Sequence, residues 1–191
     1  MGLYKSFKPT NILQNANFET AVSGVATGWA AGTNITYKSV ANNEQFFTGG
    51  GISSGTSNNW FCYANALPIT NNKYYIRIRA KKMPEQEAGQ MELSTYYFAL
   101  IRWDLSGTFT DYSYVYNKEG TNNHNFALTA TASLAVAIKK AFVINLTAEG
   151  LPADILTLSD ANLKAWCDLN LPSWFEGKMS GGRISGRGGL R

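Results

Sequence analysis

The sequence predicts an all-β fold: a jelly-roll β-sandwich with one short C-terminal helix and an extended basic tail. Three observations carry this expectation. Short runs of alternating, β-branched or aromatic residues recur along the chain, each bounded by Gly, Asn or Ser. Charged residues make up only 16% of the chain, so Asn, Thr, Ser and Gly supply the polar surface, a mix that suits pleated strands and tight turns. The net charge of +4 is segregated: residues 1–177 balance 13 Lys and Arg against 13 Asp and Glu, while 178–191 hold four basic residues and no acid.

The 191 residues divide into an N-terminal arm (1–10), one sandwich domain (11–177) and a Gly/Arg-rich tail (178–191). The arm contains Pro9, which cannot donate to a ladder. Strands are expected at 35–40 (ITYKSV), 44–48 (EQFFT), 59–65 (NWFCYAN) and 73–81 (KYYIRIRAK), with a break at Gly49-Gly50-Gly51. In 73–81, Tyr74, Ile76, Ile78 and Ala80 alternate with Tyr75, Arg77, Arg79 and Lys81, which predicts one face in a core and one in solvent. Residues 92–104 (ELSTYYFALIRWD) read as a strand apolar on both faces. Further strands are expected at 112–117, 124–130 and 134–147, the last with Leu134, Val136, Ile138, Phe142, Ile144 and Leu146 on one side.

A helix follows. Ser159 can cap it by accepting from a free N–H of the first turn, Leu163, Trp166, Cys167 and Asn170 recur at helical spacing, and Pro172 ends it. Trp174 and Phe175 are expected to pack the returning chain onto the sandwich. From Gly177 onward, six of fifteen residues are Gly, too little apolar surface to offset the cost of ordering.

Catalytic patterns are scarce. His124 is the single histidine and reads as a polar loop residue in TNNHN. Asp104 and Asp111 flank one turn and Glu85 and Glu87 share another, without the convergence that paired-carboxylate hydrolysis needs. Cys62 and Cys167 have no zinc spacing and read as buried thiols. No phosphate-binding loop or dinucleotide fingerprint is present. A non-enzyme is therefore expected, without a cofactor. The neutral body argues against nucleic acid, and no apolar run reaches membrane-spanning length. With no charged leader before an apolar stretch, the chain is expected to be made in a cytoplasm.

The aromatic content, 13%, is the functional signal within the body. Trp and Tyr rings offer flat apolar faces to sugars or to protein interfaces. Trp60, Tyr63, Tyr97 and Trp103 are the candidate carbohydrate-binding platform. Lys178, Arg183, Arg187 and Arg191 are the candidate assembly residues, in a tail that would order on acidic neighbours.

Two segments carry a resemblance. The opening Asn11, Ile12, Leu13, Asn15, Asn17, Phe18, Glu19, with Gly28-Trp29, resembles the start of carbohydrate-binding-module-like jelly rolls, and NKYYIRIRAKK looks like their central strand. The closing Asn145, Leu146, Thr147, Ala148, with Leu171, Pro172, Phe175, Glu176, Gly177, is similar to the end of domains in bacteriophage tail and fibre proteins. The sequence departs from that pattern at Asn145, where Asp is common. The resemblance implies a non-enzymatic virion structural protein (tail, baseplate, fibre or head decoration), homo-oligomeric and in contact with other virion proteins. The alternative is a module that binds host cell-wall polysaccharide, and a more remote one is a glycan-degrading enzyme. By resemblance only, Glu19 is a candidate ligand for a structural calcium, but the partner acids near the last strand are missing, which argues against the ion.

Overall fold

The computed structural model describes residues 9–52, 59–67, 71–84, 86, 88–95, 99–119 and 124–171, with the side chains of 62–66 outside that description. In chain order the strands are β1 (Ala21–Val22), β2 (Val25–Ala26), β3 (Ala30–Ala31), β4 (Lys38–Ala41), β5 (Glu44–Thr48), β6 (Phe61–Leu67), β7 (Lys73–Lys82), β8 (Gln90–Ser94), β9 (Ala99–Asp104), β10 (Thr110–Asn117), β11 (His124–Ala130) and β12 (Ala135–Asn145). Two helices follow, α1 (Ala153–Leu156) and α2 (Asp160–Asn170). The strands form two antiparallel five-stranded sheets, ordered β10-β7-β12-β5-β4 and β3-β6-β11-β8-β9, with β1-β2 as a small ribbon. This is the expected β-sandwich.

The main core lies between the sheets. Ile76, Ile78 and Val143 from the first meet Phe61, Leu93, Phe126 and Leu128 from the second, all with no exposed surface. Trp29 stacks on Phe61 with centroids 4.9 Å apart and planes 11° from parallel. The opening motif is scaffold for this core. Asn11 Nδ2 donates to Ala141 O and its Oδ1 accepts from Leu13 N and Val143 N, which ties the entering chain to β12. Asn15, at φ 49°, holds the next turn by accepting from Glu19 N and Thr20 N and donating to Thr20 O and Thr27 O. Gly49 is required by closeness rather than by φ, since a Cβ there would lie 2.3 Å from Thr131 O.

Strands β12 and β7 both depart from expectation. The single period-two face of 134–147 is broken by a bulge between Ile138 and Lys140. Val136 and Ile138 face the main core before it, and Ala141 and Val143 do so after it. Phe142, Ile144 and Leu146 therefore point to the opposite side, into a second core with Tyr75, Val115, Leu163 and Cys167. That core lies under α2, so the supposed solvent face of β7 is half covered. Tyr75 and Arg77 are buried, and only Arg79 and Lys81 remain partly exposed.

The helix begins as expected: Ser159 Oγ accepts from Asn162 N at 3.4 Å. Leu163 and Cys167 are buried, while Asn170 is exposed and bonds back to Trp166 O. Leu171 leaves the helix with ψ 142°, the extended conformation that a following proline favours. The run 92–104 forms two neighbouring strands rather than one: β8 and β9 pair from Gln90↔Asp104 to Ser94↔Ala99. The turn aromatics Tyr96, Tyr97 and Phe98, together with Glu85, Glu87, Trp174, Phe175 and the whole tail, lie outside the described residues.

Candidate functional site

The second sheet carries the candidate site on its outer face. Side chains alternate across a strand, so the inward Met91, Leu93, Leu128 and Phe61 set Glu92, Thr129 and Arg102 outward. Thr129 pairs with Glu92 across β11 and β8, and Glu92 pairs with Arg102 across β8 and β9. On the other side of β11, Leu128 pairs with Phe61. Continuing that register by one residue sets Trp60 opposite Thr129. The result is a row across four strands, Trp60, Thr129, Glu92 and Arg102, about 14 Å long at the usual strand spacing.

The row is polar yet buried. The Glu92 side chain has no exposed surface and Thr129 is 4% exposed, while Arg102 is half exposed and carries the row to the surface. Arg102 Nε donates to Glu92 Oε2 at 2.8 Å. Among the described residues Glu92 Oε1 and Thr129 Oγ1 have no hydrogen-bond partner. An unpaired buried polar atom costs about 1–3 kcal/mol, more when charged, so the row holds this acceptor and this hydroxyl at a cost to stability. Trp60, half buried, stands just before β6, where the continued register sets it on the same face.

Of the four rings of the expected platform, the described residues place two, Trp103 and Trp60. Trp103 pairs with Met91, which faces the core, and its ring lies 5.6 Å from Tyr112 of the first sheet. It packs at the rim of the main core because β9 is the edge strand, where an inward indole reaches past its neighbour to the opposite sheet. Of the four rings, Trp60 remains on the outer row. The side chain of Tyr63 and all of Tyr97 lie outside the described residues. So do Lys178, Arg183, Arg187 and Arg191.

A second polar cluster sits under α2. Asp168 accepts from the Tyr75 hydroxyl, from Ser113 Oγ at 2.8 Å and from Lys164 Nζ at 2.7 Å, and Arg77 Nη2 lies 3.3 Å from Oδ1. Burial alone would raise the Asp168 pKa, but hydrogen bonds from Lys164, Tyr75 and Ser113 outweigh it and leave the carboxyl below its ordinary range. Burial, and then the bond to Asp168, pushes Tyr75 up. A cavity of about 380 Å³ opens beside this cluster, between Arg77, Asp111, Asp168, Leu169 and Leu171. Both Asp168 oxygens are engaged from within the fold, and the cluster fastens the helix to the sheet. Its neighbour Cys167 is a free buried thiol, as expected, pushed up to about 12 first by burial and then by the Asp168 charge, which makes it a poor nucleophile.

His124 is not a loop residue. It opens β11, is 5% exposed, and its Nδ1 lies 2.8 Å from the Tyr116 hydroxyl. Burial, and then the Lys118 charge, lowers its pKa. Glu19 is exposed and lines a cavity of about 250 Å³ with Asn17, Asn42, Asn43, Lys139 and Lys140, so two ammonium groups share the space around it. Among the described residues no group of three or more His, Cys, Asp and Glu is placed to hold a metal ion.

No family model matches the chain. No curated protein matches it in sequence. Solved structures do match in fold. The CBM22-1 xylan-binding domain of Paenibacillus barcinonensis Xyn10C superposes with a TM-score of 0.51 at 11% identity, covering 72% of this chain and 95% of that one. A structure described as "CBM4 structure and function" gives 0.50 at 12% identity, covering 69% of this chain and 98% of that one. The second N-terminal cellulose-binding domain of Cellulomonas fimi β-1,4-glucanase C gives 0.47 at 11%, with 72% and 95% covered. These likenesses are to carbohydrate-binding-module jelly rolls, and nothing in them points to a bacteriophage structural protein. The chain has the jelly-roll β-sandwich fold of such modules.

Proposed function

We propose that this protein is a non-catalytic carbohydrate-binding module and that a neutral saccharide binds along the outer row of the second sheet. The observation that carries the proposal is the buried pair Glu92 Oε1 and Thr129 Oγ1, both without partners among the described residues, on a jelly roll of this type. In this proposal binding uncovers the pair: sugar hydroxyls donate to the carboxylate oxygen and exchange hydrogen bonds with the threonine, the half-exposed Arg102 holds the carboxylate in place, and Trp60 stacks on a pyranose face. The site requires no metal and no reacting group. Its saccharide class takes support from the fold likeness to a domain described as xylan-binding.

The test is affinity electrophoresis through soluble xylans and β-glucans, followed by calorimetry on any that retard the protein. Glu92→Gln, which keeps the shape and removes the charge, is expected to weaken binding about tenfold or more, since hydrogen bonds to charged groups are worth about 1.5–3 kcal/mol. Full binding by a folded Glu92→Gln protein would refute the site. The virion context rests on the closing sequence motif alone. The assembly role of Lys178, Arg183, Arg187 and Arg191 rests on charge segregation, and a chain ending at Gly177 that oligomerises normally would remove it.

A further inference from the structure

The first sheet has an outer face of its own, and α2 covers only one half of it. On the open half, cross-strand pairing sets Ser39 beside Phe46, Phe46 beside Ala137, and Ala137 beside Lys81. Phe46 alternates with the core residue Phe47 and therefore faces outward. Tyr37 bonds Ser39 Oγ through its hydroxyl on the same face and is 58% exposed. At the far side the Phe109 ring carries two ammonium groups, Lys81 Nζ at 4.4 Å and Lys139 Nζ at 5.3 Å from its centroid.

The charges on this face are not balanced. Arg79 is held by Asp111 in a two-pronged pair at 2.6 and 2.9 Å, and Lys139 lies 3.6 Å from Glu44. Lys81 makes no ion pair among the described residues and is held only against the Phe109 ring. The β12 bulge supplies the second ammonium. Lys139 is the residue left out of the pairing with β7, which runs from Ile138↔Ala80 to Lys140↔Arg79. A strand without Lys139 would keep Val136, Ile138, Ala141 and Val143 inside, so core packing does not demand the bulge. Its effect is to place an extra cation beside Lys81. Bulges of this kind re-aim side chains next to sites.

We infer that this open half-face is a second binding surface, one for an acidic polysaccharide. The saccharide rings lie on Tyr37 and Phe46, and an acid group meets the Lys81 and Lys139 ammoniums that the Phe109 ring holds together. Charge complementarity selects an anionic ligand, and the Tyr37 and Phe46 rings on one sheet face favour a sugar chain over an acidic peptide. A neutral saccharide in the row at Glu92 leaves this surface free, since the two faces belong to different sheets. The inference stands on its own residues and goes beyond the proposed function.

The test is calorimetric titration with oligogalacturonate as the uronate probe and a dextran sulfate fragment as the sulfate probe. Each is measured on the full chain and on Lys81→Met/Lys139→Met, which keeps both apolar stems. Binding of at least one probe is expected, weakening with salt and falling roughly tenfold in the double variant, as expected for the loss of two exposed cation contacts. Neutral-glycan binding at the Glu92 row is expected to be unchanged in that variant, so the two sites are read separately. Failure of both probes to bind overturns the inference. Equal binding of poly-glutamate or single-stranded DNA overturns the assignment to a glycan.

Discussion

Replacing Thr129 by Val tests whether the outer row is kept for a ligand at the expense of stability. The two side chains have nearly the same shape, so packing changes little. The hydroxyl, in a residue 4% exposed, has no hydrogen-bond partner among the described residues. Such a group costs about 1–3 kcal/mol in the unliganded protein. Its removal should therefore stabilise the fold by about 1 kcal/mol, or raise Tm by about 2–4 °C in a chain of this size. Binding should move the opposite way. One neutral hydrogen bond is worth about 0.5–1.5 kcal/mol net, so a saccharide that uses the hydroxyl should bind about 2- to 12-fold more weakly. Thermal unfolding and calorimetry on the same two proteins give both numbers. A Thr129→Val protein that is less stable and binds equally well would refute the reasoning, because it would mean that the hydroxyl is satisfied within the fold and unused by the ligand.

Three further outcomes follow from the packing. Leu163→Ala removes a fully buried side chain from the core under α2 and should cost about 2–5 kcal/mol, read from the urea midpoint; a loss below about 0.5 kcal/mol would mean the helix is not docked as described. His124 has a lowered pKa, so the unfolded chain takes up its proton at a higher pH than the fold does. Stability should fall as pH drops through about 6.5 and level off below the folded value, and His124→Gln should flatten that slope in urea melts between pH 5 and 8. Deleting Lys139 should be tolerated because the same residues stay inside, whereas deleting Ala141 should abolish folding because it turns Phe142 or Lys140 toward the main core; circular dichroism of the two deletions decides it.

Much of the fold was legible because its signals are local. The alternation at 44–48 and 124–130 gave those strands to the residue, and Ser159 marked the helix start through its own capping chemistry. What failed depends on contacts distant in sequence. The bulge at Lys139 is invisible to a count of alternation that simply continues through 134–147. The outward face of β7 reads as solvated because Arg77 is charged, yet Asp168, 91 residues away, lets it lie buried. The candidate site was legible only at Trp60. Glu92 looks like any polar residue on an alternating strand, and its burial follows from the β8–β9 pairing. Trp103 misled for the same reason, since its face is set by register against Met91 and not by its own neighbours. The one usable hint was that 92–104 is apolar on both sides, which implied that its outer face meets something.

The proposed saccharide lies along Trp60, Thr129, Glu92 and Arg102. The most direct measurement is an NMR titration of the 15N-labelled protein with a xylo- or gluco-oligosaccharide. Saturable shifts are expected, concentrated on β8, β9 and β11 around Glu92, Arg102 and Thr129, with the amides of α2 and β4 unmoved. No shifts at millimolar oligosaccharide across both series, or shifts confined to the first sheet, would contradict this placement.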